Sequence, residues 1–199
     1  MKNTSEILDL IKSRRSLRSF ADKPVSATTI STIFEAARWA PSSRNEQPWR
    51  FLVATKNQPE AYQKILDALN LSNREWAQRA PVLILTIAKK AFDHNNAPNA
   101  HAWHDVGLAI GNVNIQATAM GLVLHQMGGF NPNVAIENFR IPENFEPVTI
   151  IAMGYPGDPD MLTEKLQMLE KAPRSRKSLS EIVFTGKWGR GIDEHNPDF

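Results

Sequence analysis

The stretch AARWAPSSRNEQPWRFLV, residues 36–53, decides how this chain is organised. An amphipathic helix runs into Pro41, a short polar loop follows, and Pro48 and Trp49 open a run of β-branched and aromatic residues typical of a strand. Each proline fixes its own φ and biases the preceding residue towards extended geometry, so the loop is stiff. Its serines and amides suit a planar polar ligand, but an ordinary helix-to-strand turn with capping serines explains them equally well.

Composition bounds what the chain can be. We expect the 199 residues to form one domain, residues 1–199, that buries about 70% of its unfolded surface. A formal charge of +2 is too small for a protein whose main partner is nucleic acid. The absence of cysteine excludes disulfides, thiolate nucleophiles and thiolate-bound metal or iron–sulfur centres.

The sequence also indicates where the protein resides. Its start, MKNTSEILDL, lacks the apolar run of a secretory signal. No apolar stretch approaches the roughly 20 residues that a membrane helix needs. We therefore expect a cytoplasmic protein without a membrane partner.

The hydrophobic pattern predicts helices interspersed with strands. Asn3 and Glu6 form a capping box for the first helix, whose apolar side is Ile7, Leu8, Leu10 and Ile11. The long helix 100–120, rich in alanine and glycine, is expected to be buried centrally or to lie on a subunit seam. The remaining predictions are a helix from Ser26, helices 59–69, 73–79 and 161–171, and strands 49–55, 82–88, 122–127 and 147–153, of which 82–88 is expected to be covered on both faces.

Two basic clusters lie far apart in the sequence. RRSLR spans residues 14–18, and RSRK spans residues 174–177. Arginine presents a planar fork of donors that matches phosphate oxygens, and a serine hydroxyl adds another donor. Two such clusters in a nearly neutral chain suggest that both bind one anion. The alternatives are a solvated basic edge and a basic tail.

Other motifs give weaker signals. Gly128 and Gly129 follow a predicted strand, where glycine permits close backbone approach to a ligand, although most such pairs are turns. Dinucleotide-binding, P-loop and nucleophile-elbow motifs are missing. His101 and His104 beside Asp105 have no evident third ligand, so packing and capping are favoured over a metal site and no metal is expected.

Taken together, the sequence resembles the nitroreductase family of FMN-dependent oxidoreductases. The resemblance follows the family's order over nearly the whole chain, and the combination of RRSxR, APSSxNxQPW and GGF is specific. Its segments are IKSRRSLRSF, AARWAPSSRNEQPWRFLV, NREWAQRAPVLILTIA, MGLVLHQMGGFN, VTIIAMGYPGD and RSRKSLSEIV.

The resemblance implies an α+β fold with a central mixed, largely antiparallel sheet surrounded by helices. It also implies a homodimer with FMN at the subunit interface. The C-terminal segment, around residues 179–184, would be exchanged between subunits and add to the partner's sheet.

The resemblance assigns the two basic clusters to the cofactor. Arg14, Ser16 and Arg176 would hold the FMN phosphate, with Arg15 and Arg174 beside it. Arg18 would reach the N1/O2 edge of the flavin, where a cation stabilises the anionic reduced ring.

The resemblance also assigns flavin contacts outside the basic clusters. Asn73 would bond the ribityl chain or the pyrimidine edge. The loop in the opening stretch would contact the flavin of the other subunit, and a strand end would line its N5/O4 side through the backbone. These residues are Pro41, Ser42, Ser43 and Asn45 from the loop, and Met127, Gly128 and Gly129 from the strand end.

Two positions depart from some family members, which have lysine where Trp76 stands and glutamate where Gly128 stands. The departures affect substrate range and redox poise more than cofactor binding. The activity implied is ping-pong transfer of hydride from NAD(P)H to a nitroaromatic, a quinone or another electron-poor acceptor, with no certain catalytic side chain. The alternatives are another acceptor, such as an enal, a semialdehyde or a halogenated aromatic, and a non-enzymatic binder of phosphate or nucleic acid.

Overall fold

A computed structural model describes residues 7–192, and its regular elements alternate between helices and strands. The strands are β1 (Trp49–Thr55), β2 (Val82–Lys89), β3 (Val123–Met127) and β4 (Phe145–Gly154). The helices are α1 (Asp9–Ser13), α2 (Ala27–Arg38), α3 (Pro59–Ala68), α4 (Leu71–Ala77), α5 (Ala102–Ala119), α6 (Pro132–Phe139) and α7 (Glu164–Lys171). Short 3₁₀ turns lie at Ser43–Asn45, Pro159–Met161 and Leu179–Glu181.

The strands form one sheet in the order β1-β2-β4-β3. Each neighbouring pair is antiparallel, so the described strands form the largely antiparallel sheet that the resemblance implies. β1 and β3 are the two edge strands. Every residue of β2 is buried, as its continuous apolar sequence predicts.

The alternation of side chains along β2 divides the core into two layers. Val82, Ile84 and Ala88 pack with α2 and α5 on one face of the sheet. Leu83, Leu85 and Ile87 pack with α3, α4 and α6 on the other face. The sheet is therefore covered by helices on both faces, which is the α+β arrangement that the resemblance implies.

Helix starts follow ordinary capping chemistry. Ser26 Oγ accepts the N–H of Thr29 at the start of α2, and Asn70 Oδ1 accepts the N–H of Asn73 at the start of α4. Proline opens α3 and α6, where its missing N–H costs nothing. The capping box predicted for Asn3 and Glu6 lies outside the described residues.

Three parts of the sequence analysis need correction. Helix α6 was not predicted, because its eight residues give only a short hydrophobic pattern. The helix predicted over 161–171 begins only at Glu164, and Met161 instead ends a 3₁₀ turn. Helix α1 has only five residues, and its apolar side chains, Leu10 and Ile11, are exposed rather than packed in the core of this chain.

Tyr62 fastens α3 to the end of α4. Its hydroxyl lies 2.6 Å from the carbonyl oxygen of Ala80 and within hydrogen-bond distance of two further carbonyl oxygens. Burial raises the pKa of the phenol, so the hydroxyl remains a donor.

Substitution Tyr62→Phe should lower the free energy of unfolding by about 1–2 kcal/mol, because the buried carbonyl of Ala80 loses its side-chain donor. Urea denaturation of both proteins measures the difference. A Tyr155→Phe variant, altered at a partly exposed tyrosine on the opposite face of the sheet, is the matched control. Equal stability of Tyr62→Phe and the wild type would contradict the proposed role of the hydroxyl.

Candidate functional site

The two basic clusters meet in space although about 160 residues separate them in sequence. The guanidinium of Arg174 donates to the backbone carbonyl of Arg14 at 2.7 Å and also to that of Lys12. Arg14 in turn donates to Ser16 Oγ at 3.0 Å. The sequence-based expectation that the clusters converge therefore matches the geometry of the described chain.

The convergence places like charges close together. The pKa of Arg14 is lowered from its ordinary value, first by partial burial and then by the charges of Arg176 and Arg174. Within residues 7–192, no carboxylate forms an ion pair with any of these three arginines. An anion placed among them would relieve this repulsion and accept charge-assisted hydrogen bonds.

Arg15 points away from the other arginines of its cluster. Its guanidinium donates to the carbonyl of Glu170 at 2.7 Å and to that of Ala172 at 3.4 Å, and so it caps the C-terminal end of α7. The carboxylate of Glu170 accepts the backbone N–H groups of Arg18 and Ser19. Arg15 and Glu170 thus join the N-terminal segment to the C-terminal one.

Arg18 lies beside an aromatic group at the edge strand β3. Its guanidinium carbon is 5.9 Å from the centre of the Trp76 ring, which in turn lies 4.6 Å from the His125 ring. His125 Nδ1 is 3.1 Å from the carbonyl oxygen of Leu17, so a neutral ring with a proton on Nδ1 can donate there. Burial, and then the charge of Arg18, lowers the pKa of His125.

The end of β3 meets the start of α4. Asn73 Nδ2 donates to the carbonyl of Gly129 at 3.1 Å, and the N–H of Asn70 donates to the same oxygen at 3.1 Å. A Cβ at Gly129 would lie 2.8 Å from Asn73 Nδ2 and still nearer to Asn70, so a side chain here would displace these two amide groups. Gly128 is exposed, and a Cβ there would meet no described atom within 4 Å. The side chain of Met127 is buried in the core, which leaves only its backbone at the site.

The loop of the opening stretch has an unusual backbone. Arg44, Asn45 and Gln47 adopt positive φ values of 54°, 55° and 51°. Non-glycine residues at positive φ cost roughly 1 kcal/mol or more each and cluster at functional sites. Pro41 is exposed and Ser42 and Ser43 are partly exposed, so this loop offers its polar groups to a neighbour.

Buried carboxylates hold the strained loop in place. The N–H of Ser43 donates to Asp105 Oδ2 at 3.0 Å, in the first turn of α5. Glu46 accepts from Lys89 Nζ at 3.3 Å and from the N–H of Asp93 at 2.8 Å. Within the loop, the N–H of Gln47 donates to Ser42 Oγ. These anchors explain how a strained backbone persists.

The loop and the arginine site lie at opposite edges of the sheet. The loop leads into β1, whereas the segment that carries Arg14 and Arg18 contacts β3, where His125 Nδ1 lies 3.1 Å from the carbonyl oxygen of Leu17. Four strands spaced about 4.8 Å apart separate these edges by roughly 14 Å. No hydrogen bond or ion pair among residues 7–192 joins the loop to either basic cluster. A single chain therefore presents two half-sites.

Sequence reasoning missed the residues that position the others. The sequence predicts a helix over 161–171 but gives no sign that Glu170 within it is buried. Asp105 was considered only as part of a metal pair, although an acidic residue in a first helical turn is a common sign of helix-terminus chemistry. Nothing in the sequence singled out Glu46, Asn70 or His125. The described residues contain no group of three potential metal ligands, and no described helix has the length and hydropathy to cross a bilayer.

Comparisons with known proteins agree with the fold. The sequence profile of the nitroreductase family matches residues 11–155. A Stenotrophomonas maltophilia strain K279a protein, provisionally named NADH dehydrogenase/NAD(P)H nitroreductase, is 28% identical over 80% of this chain and 89% of its own length. The FMN reductase [NAD(P)H] of Bacillus subtilis is 29% identical over 77% of this chain and 67% of its own length.

A solved structure supports the same relationship. An oxidoreductase containing FMN superposes with a TM-score of 0.87 and 30% identity, covering 94% of this chain and 95% of its own. The profile match spans most of the chain, from RRSLR to the end of β4. This chain belongs to the nitroreductase family.

The buried histidine should make stability depend on pH. Folding lowers the pKa of this histidine, so its full contribution to the free energy of unfolding is present only at pH values above the ordinary histidine pKa of about 6.5. As pH falls below that value, the unfolded state binds the proton more readily and the contribution is lost. Arg18 disfavours its protonation, whereas Glu170 and the Leu17 carbonyl favour it. In the variant His125→Gln, the fall in Tm between pH 7.5 and 5.5 should be smaller than in the wild type.

Thermal unfolding at both pH values measures the difference. The variant His101→Gln, at an exposed histidine, is the matched control and should behave like the wild type. If His125→Gln loses as much Tm on acidification as the wild type does, His125 does not carry this dependence.

Proposed function

We propose that this protein is an FMN-dependent oxidoreductase that transfers hydride from NAD(P)H to an electron-poor acceptor. The observation that carries the proposal is the convergence of Arg14, Arg174 and Arg176, none of which pairs with a carboxylate among residues 7–192. The names of the B. subtilis and S. maltophilia relatives and the FMN in the solved oxidoreductase support it.

The residues at the β3 edge fit FMN. Arg14, Ser16 and Arg176 offer charge-assisted and hydroxyl donors for a phosphate, with Arg174 holding Arg14 in place. Arg15 is adjacent but engages α7. Asn73 and the glycine pair permit close approach of a planar ring to the backbone, and Arg18 supplies a cation next to it.

When bound, FMN supplies the hydride chemistry. The chain supplies placement and charge: Arg18 stabilises negative charge on the N1/O2 edge, and the backbone of residues 127–129 borders the N5/O4 side. We propose a ping-pong order in which the oxidised nicotinamide leaves before a nitroaromatic, a quinone or another acceptor enters. No side chain of this chain is required to form a covalent bond.

Two features of the chain support a homodimer that completes each site. The loop 41–47 lies at the sheet edge opposite the arginine site, so a second protomer would bring its Pro41, Ser42, Ser43 and Asn45 over the ring. The seam would involve the outer face of α5, where Trp103 and Leu108 are exposed, together with Leu10 and Ile11 of α1. The C-terminal segment also exposes Leu179 and Ile182, which suits an exchanged segment, although residues 179–181 form a 3₁₀ turn here.

The flavin chemistry can be tested directly. Protein loaded with FMN should lose its yellow absorption on anaerobic addition of NADH or NADPH, and the colour should return on addition of an acceptor. Nitroaromatics, quinones, enals, semialdehydes and halogenated aromatics are compared by the rate of return. Protein that takes up no FMN, or FMN-loaded protein that neither nicotinamide bleaches, would refute the proposal.

The seam can be tested at Gly111 on the outer face of α5. A Cβ at Gly111 would meet no described atom within 4 Å, so the chain itself tolerates Gly111→Leu, and helix propensity favours the change by roughly 0.8 kcal/mol. At a seam between closely packed helices, the added side chain should instead dissociate the dimer and lower FMN affinity.

Light scattering after gel filtration distinguishes one 22.3-kDa chain from two. The matched control, Gln63→Leu, adds the same side chain to the exposed face of α3 on the other side of the sheet. A Gly111→Leu protein that remains dimeric would exclude α5 as the seam.

A further inference from the structure

We propose that Glu170 is the positioning residue that assembles the phosphate-binding arginines before the cofactor arrives. The inference rests on the proposed FMN site. Glu170 is not placed to touch the phosphate; it acts through the backbone of residues 18 and 19 and, by way of Arg15, through the junction of the two chain ends.

The carboxylate of Glu170 is fully engaged by one short segment. Glu170 is only 6% exposed. Its Oε2 accepts the N–H of Arg18 at 2.7 Å, and its Oε1 accepts both the N–H of Ser19 at 3.0 Å and the hydroxyl of Ser19. A buried carboxylate is costly unless such donors compensate it, and here three donors from adjacent residues do so.

Glu170 lies at the end of α7 where the helix dipole disfavours a carboxylate. Glu170 is the penultimate residue of α7, where the partial negative charge of the helix C-terminus disfavours a carboxylate. Arg15 offsets this, because its guanidinium donates to the carbonyls of Glu170 and Ala172. Arg15 and Glu170 therefore form a reciprocal clasp: the N-terminal segment supplies a cation to α7, and α7 supplies an acceptor to the N-terminal segment.

The clasp determines which donors remain for a phosphate. Glu170 occupies the backbone N–H groups of Arg18 and Ser19, which would otherwise form a backbone anion site. The donors left for the phosphate are the side chains of Arg14, Ser16 and Arg176. Residues 170–172 are fixed against residues 15–19, and only a short stretch of chain leads from there to Arg176. Arg176 is therefore held near Arg14 before the ligand binds, so binding loses less conformational entropy.

The test compares affinity for FMN with affinity for riboflavin, which has the same ring but no phosphate. The variant Glu170→Gln keeps the shape but replaces one acceptor oxygen by an NH₂ group facing an N–H donor. FMN affinity should fall roughly tenfold, whereas riboflavin affinity should fall by no more than about threefold, because Arg18 is the only one of these arginines assigned to the ring. Hydrogen exchange of the Arg18 and Ser19 amides in the cofactor-free protein should accelerate. Glu164→Gln, an equal charge change at an exposed position of the same helix, should alter none of these quantities.

A general structural role would lower both affinities alike, and that result, or unchanged affinity for both ligands, would overturn the inference. If Glu170→Gln does not fold, the variant Ser19→Ala tests the inference instead, because it removes only the hydroxyl donor to Glu170. FMN affinity should then fall about threefold and riboflavin affinity less. The absence of this selective loss would overturn the inference. Equal affinity of the wild-type protein for FMN and riboflavin would instead refute the assignment of the arginines to the phosphate. The wild-type comparison thus separates failure of the proposed FMN site from failure of the role of Glu170.

Discussion

The junction between the two ends of the chain is the interaction on which the candidate site depends. The guanidinium of Arg174 from the end donates to the backbone carbonyl of Arg14 at the start, and Arg176 adds a third charge nearby. Like charges at this distance repel one another, so the arrangement persists only because other contacts fix the segments. The reciprocal clasp of Arg15 and Glu170 provides those contacts. An anion bound between them would relieve this repulsion.

The sheet determines how the rest of the site is distributed. Helices on both faces of the sheet bury β2 completely. The strand order makes β1 and β3 the two edges, so the arginine site near β3 and the loop before β1 lie apart. The loop is rigid because Asp105, Glu46 and its own Ser42 satisfy its backbone and compensate its positive φ values. A rigid loop that is remote from the site of its own chain is suited to complete a site in another copy. This geometry is the physical basis for proposing a dimer.

Several elements were predictable from the sequence because local chemistry decides them. The continuous apolar run of β2 requires burial on both faces, and Ser26 caps α2 where the sequence predicts a helix start. Helix α6 was not predictable, because its pattern is short and its packing against β4 and α3 decides it. The start of α7 at Glu164 was not predictable either, because the turn at Pro159 decides it. Leu8 and Ile11 have the spacing of a core-facing helix, yet both side chains are exposed and neither packs in the core of this chain.

By itself, the sequence determined the composition of the candidate site: two arginine clusters, a proline-bounded polar loop and a glycine pair, whose residue types already match a phosphate and a planar ring. Only the tertiary structure decided how these groups are supported. A buried Glu170 is indistinguishable in sequence from its exposed neighbours on α7, because burial depends on what packs against the helix end and not on the helix itself. The same holds for Asp105 and Glu46, whose partners lie more than 40 residues away and become neighbours only after the sheet has formed.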